Sequence, residues 1–184
     1  MNQIFIPESI HTERLILKRW RKDDASDLML LLELNVNHLQ RWIPPRISEP
    51  VPLKDLKRRI EGFIMDFNNG KEWRYGIFKK DNSELIGEAA LFPRDTEKRV
   101  PAESANRIEI GYWITENHTG KGFASEVTKA FLEKVINIIG VEKVEIHCDE
   151  RNHASAAIPK KLGFQLAEKK PDGDPYEMMW IKEV

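Results

Sequence analysis

The chain has a single cysteine, Cys148, which excludes an internal disulfide framework and a multi-cysteine zinc site. It has almost no charge imbalance: 29 Lys and Arg stand against 30 Asp and Glu, a net of −1. No global positive field therefore draws it to nucleic acid or to an anionic membrane, and neither partner is expected. Any polyanionic ligand has to be held by a local device. No apolar run is long enough to span a bilayer, and Met1 to His11 lacks the basic-then-apolar pattern of a signal peptide, so a cytoplasmic location is expected. There are no internal repeats, no low-complexity linkers, and no metal-ligand spacing such as H-E-x-x-H; no metal is expected. What is present is 184 residues, 41% apolar and 32% charged. That is too apolar for a disordered chain and suits one domain with its own core over residues 1–184.

Hydrophobic periodicity predicts the elements. Thr12 to Arg19 reads as a strand, and Asp23 or Asp24 caps a helix carrying Ala25, Leu28, Met29, Leu31 and Leu32. Four prolines between Trp42 and Pro52 predict a loop, followed by a helix through Leu53, Leu56, Ile60, Phe63, Ile64 and Phe67. Trp73–Phe78 and Glu84–Phe92 flank Lys80-Asp81-Asn82-Ser83, a hairpin signal. Pro93 to Ala102 reads as an exposed excursion. Ala105 to Thr115 alternates, with Ile108, Ile110, Tyr112 and Ile114 on one face and Glu109, Gly111 and Trp113 on the other. A long helix follows Gly122, with apolar residues through Ile138 and Ile139, and ends at Gly140. Lys143–Asp149 is a strand and Asn152–Leu162 a shorter helix. Phe164–Ala167 and Tyr176–Ile181 close the chain as strands around Pro171-Asp172-Gly173. About seven strands and four helices in mixed order imply an α/β (α+β) protein, a mixed sheet with helices on both faces.

The most informative segment runs from Trp113 to Ser125: a strand enters a turn with Gly120 and Gly122 that opens a long amphipathic helix. The first amides of such a helix lack internal partners, and the helix dipole adds positive potential there, so the turn can cradle an anion without a basic protein. A phosphate-binding loop of the G-x-x-x-x-G-K-[ST] type fails at Thr115 and Gly122. A G-x-G-x-x-G fingerprint fails at Ser125, and two helices and several strands precede it. A plain turn before a core helix remains the alternative.

With Asn117, Gly120 and Gly122 in the places of a (Gln/Arg)-x-x-Gly-x-(Gly/Ala) pattern, the segment resembles the pyrophosphate-binding turn of the GCN5-related N-acetyltransferases (GNAT). Thr12-Glu13-Arg14-Leu15-Ile16-Leu17-Lys18, Glu109-Ile110-Gly111-Tyr112-Trp113, Asn152-x-x-Ser155 and Lys161-Leu162-Gly163-Phe164 resemble signatures of the RimJ/RimL branch, in order along nearly the whole chain. The resemblance implies the acyl-CoA N-acyltransferase fold and transfer of acetyl from acetyl-CoA to an amine in a ternary complex. The acceptor is then a protein N-terminal amine, as on a ribosomal protein, or a small-molecule amine. Homodimers are common in the family. A catalytically silent acyl-CoA-binding module or sensor is the competing reading.

Acetyl transfer needs a neutral amine, a donor to the thioester oxyanion and a proton for the leaving thiolate. Glu109 is the candidate base, weighed against a strand glutamate merely paired to Arg or Lys; Glu88 is a weaker rival. By resemblance, Ser155 is the candidate acid and Asn152 holds the pantetheine arm, although both residue types also simply cap helices. The main-chain amides of Trp113 or Ile114 are expected at the thioester carbonyl. Those of Thr119, Gly120, Lys121, Gly122, Phe123, Ala124 and Ser125 are expected at the pyrophosphate. Lys121, Arg151, Lys160 and Lys161 are candidates for the outer phosphate, and Trp42 for the acceptor side. Cys148 reads as a small buried residue rather than as a covalent carrier.

Overall fold

The computed structural model describes residues 6–136, 138, 140–169 and 178–184. The expected turn at Pro171-Asp172-Gly173, the start of the last strand at Tyr176, and Ile139 lie outside these residues. Eight strands are described: β1 (Ser9–His11), β2 (Leu15–Arg19), β3 (Trp73–Lys79), β4 (Leu85–Arg94), β5 (Arg107–Ile114), β6 (Lys143–Cys148), β7 (Gln165–Lys169) and β8 (Met178–Glu183). They form one sheet in the order β1-β2-β3-β4-β5-β6-β8-β7. Every pairing is antiparallel except the parallel β5–β6. The mixed sheet expected from the sequence is present. The additional strand is β1, three residues with a single buried side chain, too short to leave a periodic signal.

The helices are α1 (Ala25–Leu39), α2 (Pro45–Ser48), α3 (Leu53–Asn68), α4 (Phe123–Val135) and α5 (His153–Lys161). The proline-rich segment is thus not loop throughout. Pro45 stands at the first helical position, where a missing N–H costs nothing, and the Ser48 hydroxyl donates back to the carbonyls of Ile43 and Pro44 at 3.0 and 3.2 Å. Two cores cover the two faces of the sheet. Ile108, Ile110 and Ile114 of β5 join Val127 and Phe131 of α4 on one side. Trp113 joins Leu28, Leu32, Leu56 and Ile60 of α1 and α3 on the other. The alternation read in β5 therefore divides the strand between the two cores.

Two departures from regular pairing open the sheet where the site lies. In β4, Ile77 faces Gly87 and Phe78 faces Leu85, so Ile86 is an extra residue, a bulge that bends the strand. Gly87 follows it so closely under β5 that a Cβ would stand 2.2 Å from the Trp113 carbonyl oxygen, and only glycine fits. In addition, β5 and β6 pair only over Arg107–Glu109 with Lys143–Glu145 and then separate. The rest of β5, from Ile110 to Ile114, borders a gap on that side.

Candidate active site

The turn expected to bind phosphate sits at the mouth of α4. Gly122 is the residue before the helix and has φ 82, and Gly120 has φ 73, both in the left-handed region that side-chain-bearing residues rarely adopt. A Cβ at Gly120 would meet nothing within 4 Å, so its face of the turn is open. The amides of Phe123, Ala124 and Ser125 belong to the first helical turn, where no carbonyl of the helix reaches them.

Residues of the β2 approach hold this turn. The Arg14 guanidinium donates to the Lys121 carbonyl at 3.1 Å and to the Glu126 carboxylate at 2.8 Å, and lies 4.4 Å from the Phe123 ring centroid. The Glu126 carboxylate also accepts from the Arg14 N–H at 2.8 Å and from the Thr12 hydroxyl at 2.5 Å. Partial burial pushes the Glu126 carboxyl up, but these donors outweigh it and hold it below its ordinary value. A carboxyl lowered in the fold stabilises it above the unfolded pKa, and the effect is lost as pH falls through the folded one. We therefore expect Glu126→Gln to lower the Tm by about 2–4 °C near pH 7. The difference from wild type should close in thermal melts taken down to about pH 3.

From this turn a groove of about 580 Å³ runs along α4 and α5 toward the β5–β6 gap. It is lined by Trp113, Ile114, Thr119, Gly120, Gly122, Phe123, Ala124, Ser125, Asn152 and Ser155, all expected for the cofactor. Lys121 is not among the lining residues, and Lys160 borders a different depression with Glu150 and Met178. Among the described residues no Asp or Glu lines the groove, whereas His38, Arg41, His118, Arg151, His153 and Lys161 do. The described lining of the groove is thus basic and neutral, a setting that suits an anion.

A second, smaller cavity of about 100 Å³ lies behind it on the α2 side. The two share Trp42, Ile43, Tyr112, Trp113, Asn152 and Ser155 as common walls. The Asn152 side chain accepts from the Ser155 N–H at 3.1 Å and so caps α5. Tyr112 reaches from β5 to place its hydroxyl 3.4 Å from the Ser155 hydroxyl. Burial pushes the Tyr112 phenol far above the ordinary tyrosine range, with the Ser155 hydrogen bond opposing weakly, so it stays protonated. Tyr112 was legible only as a core-face residue of an alternating strand, because nothing local in the sequence marks the separation of β5 from β6.

The same separation sorts the two candidate oxyanion amides. The Thr115 N–H donates to the Ile86 carbonyl at 2.9 Å. The alternation of an antiparallel pair then turns the Trp113 N–H toward Glu88 of β4 and the Ile114 N–H away from β4. The Ile114 carbonyl, which the same alternation points away from β4, lies 3.2 Å from His38 Nε2.

Glu109 lines the smaller cavity as part of a ladder of ion pairs. Arg94 donates to one of its oxygens at 2.6 Å and Arg99 to the other at 3.2 Å. Glu88 accepts from Arg74 at 2.8 Å and from the Trp20 indole at 3.0 Å, and Glu145 from Arg107 at 2.7 Å. Arg94 and Arg99 come from the segment read as an exposed excursion, which instead folds back through a bridge between the two arginines. Cys148 is buried on the wall of this cavity. Trp42 borders both cavities rather than filling a core.

The model of the acetyltransferase (GNAT) domain matches residues 14–165. Among similar proteins is an N-acetyltransferase, p20, of Bacillus licheniformis, 28% identical over 164 residues, covering 86% of this chain and 83% of the relative. The ribosomal-protein-serine acetyltransferase of Escherichia coli is 29% identical over 129 residues, covering 68% of this chain and 66% of the relative. Among solved structures, the ribosomal L7/L12 α-N-protein acetyltransferase RimL in complex with coenzyme A superposes with a TM-score of 0.80 at 20% identity. That match covers 96% of this chain and 98% of the other.

Proposed function

Because the chain belongs to the acetyltransferase (GNAT) domain family and is an acetyl-CoA-dependent N-acetyltransferase, we propose that its acceptor is a protein N-terminal α-amine of the ribosomal-protein kind. The observation that carries the reading is the shared wall of two cavities. One is a groove with no acidic side chain among its described lining residues, ending in open helix amides, and the other is a small chamber that meets it at Trp42, Tyr112, Trp113, Asn152 and Ser155. Acetyl-CoA lies in the groove with its diphosphate at Gly120–Ser125, and its thioester reaches the junction. A chain terminus enters the chamber past Trp42. Holding the two reactants there supplies the proximity that direct transfer needs.

In this mechanism the amine attacks the thioester carbonyl, whose oxygen gathers charge against the Ile114 N–H. The tetrahedral intermediate collapses by breaking the carbon–sulfur bond. The departing thiolate takes a proton from the Ser155 and Tyr112 hydroxyls, and the amide product forms. The nitrogen gives up one proton as the amide forms, and Glu109 takes it through water; exchange with solvent then returns a proton to the hydroxyl pair and removes the one on Glu109. Glu109 takes its proton by loosening the Arg99 arm, the longer and more exposed of its two partners.

Thiol release from acetyl-CoA, followed with peptides beginning in Ser or Ala, tests the acceptor; turnover confined to small amines would overturn it. Glu109→Gln tests the base. Turnover is expected to fall about tenfold to a hundredfold near pH 6.5 and to recover toward pH 9, where more of the amine is already neutral. A loss of the same size at every pH would assign Glu109 to the ion-pair ladder alone.

A further inference from the structure

The acceptor chamber is uneven in what it leaves unspent. Each carboxylate on its wall already faces a donor: Glu88 faces Arg74, Glu109 faces Arg94 and Arg99, and Asp149 faces Arg151. None is left over for a second ammonium group on an acceptor. Uncommitted donors of residues that line the chamber include, among the described residues, the Trp113 indole and the Arg46 guanidinium. The Trp113 indole N–H is buried without a hydrogen-bond acceptor, although the residue is only 7% exposed and borders both cavities. Arg46, exposed on α2 at the chamber wall, makes no ion pair, hydrogen bond or ring contact. A guanidinium matches a carboxylate in charge and in geometry. A buried indole N–H left without an acceptor is a cost that a bound oxygen would remove.

We propose that the acceptor is an acidic N-terminus: an α-amine delivered to the Tyr112–Ser155 junction, with a carboxylate within the first residues held by Arg46 while an oxygen of the same segment takes the Trp113 indole N–H. This inference rests on the transferase reading above and narrows its substrate class. The orientation follows from the wall itself. The amine has to reach the walls shared with the groove, whereas Arg46 lines the chamber and not the groove, so the anion is held on the chamber side. Basic N-termini would put like charge beside Arg46 and find every carboxylate occupied.

The test is thiol release from acetyl-CoA with three short peptides that differ only at the second residue: Ser-Asp, Ser-Ala and Ser-Lys. Free aspartate and glutamate are included as small acceptors. We expect kcat/KM for the acidic peptide to exceed that for the basic one by about tenfold, the worth of one charge-assisted contact, and the ratio to shrink as salt is raised. Arg46→Ala should flatten the ratio and Arg46→Glu invert it, with acetyl-CoA affinity by calorimetry reporting that each variant is folded. Acceptance of free aspartate or glutamate in preference to every peptide would overturn the N-terminal acceptor and this inference with it, and assign the chamber to an acidic amino acid. Turnover of all three peptides at equal rates, or a ratio that survives Arg46→Glu, would overturn the inference and leave the transferase reading standing. No turnover with any acceptor, despite acetyl-CoA binding, would overturn both.

Discussion

Gly122→Val is expected to weaken acetyl-CoA binding about a hundredfold, the loss of one or two charge-assisted hydrogen bonds at about 1.5–3 kcal/mol each. With φ at 82, Gly122 turns the chain so that the next amides open α4 toward the groove. A β-branched residue is strained in that conformation and moves the turn to escape it. Its Cβ would also stand 3.5 Å from the Arg14 guanidinium that holds the turn at Lys121. Strain alone would lower stability without selecting a ligand, and Gly140→Val separates the two effects. Gly140 also has a positive φ, 91, with nothing within 4 Å of its Cβ position, and it lies outside the groove. Both variants should lose thermal stability, by an amount of the order of 1–3 kcal/mol. Only Gly122→Val should lose affinity in calorimetry. Equal affinities for the two variants would remove the turn as the phosphate site.

The second large effect is expected at the thioester end. Tyr112→Phe and Ser155→Ala should each lower kcat by about tenfold to a hundredfold while leaving acetyl-CoA affinity within about threefold, because the proton they supply is needed only as the thiolate leaves. The double variant should fall well short of the product of the single losses, since the two hydroxyls act as one unit 3.4 Å apart. The pH dependence has a fixed sign. Burial raises the Tyr112 phenol, so its neutral, donating form persists above its ordinary range. Wild-type kcat should therefore show no alkaline loss from this group between about pH 7 and 9. Full activity in Tyr112→Phe would leave Ser155 as the donor; full activity in both would remove this corner from the chemistry.

The sequence and the structure agree where physics acts locally. A strand, two glycines and an amphipathic run dictate the turn at Gly120–Gly122, because no other residue takes those dihedrals cheaply. The two faces of β5 followed from simple alternation. What stayed hidden depends on contacts between distant segments. Arg14 holds the Gly120–Gly122 turn from more than a hundred residues upstream, through Lys121 and Glu126. Tyr112 looked like core because the parting of β5 and β6 has no local signal. Arg94 and Arg99 looked like solvated charges, yet they fold back to clasp Glu109. Lys121 and Lys160, candidates for the outer phosphate by charge alone, do not line the groove, since charge in the sequence says nothing of which side of a helix or turn it lines.

The most direct measurement is a titration of ¹⁵N-labelled protein with coenzyme A, followed at the backbone amides. If the mouth of α4 grips the diphosphate, the amides of Gly120 and of Gly122 to Ser125 shift furthest and saturate together, and a pantetheine fragment without the diphosphate leaves them in place. Amides there that stay still while others move, or that move equally for the fragment, would contradict the account.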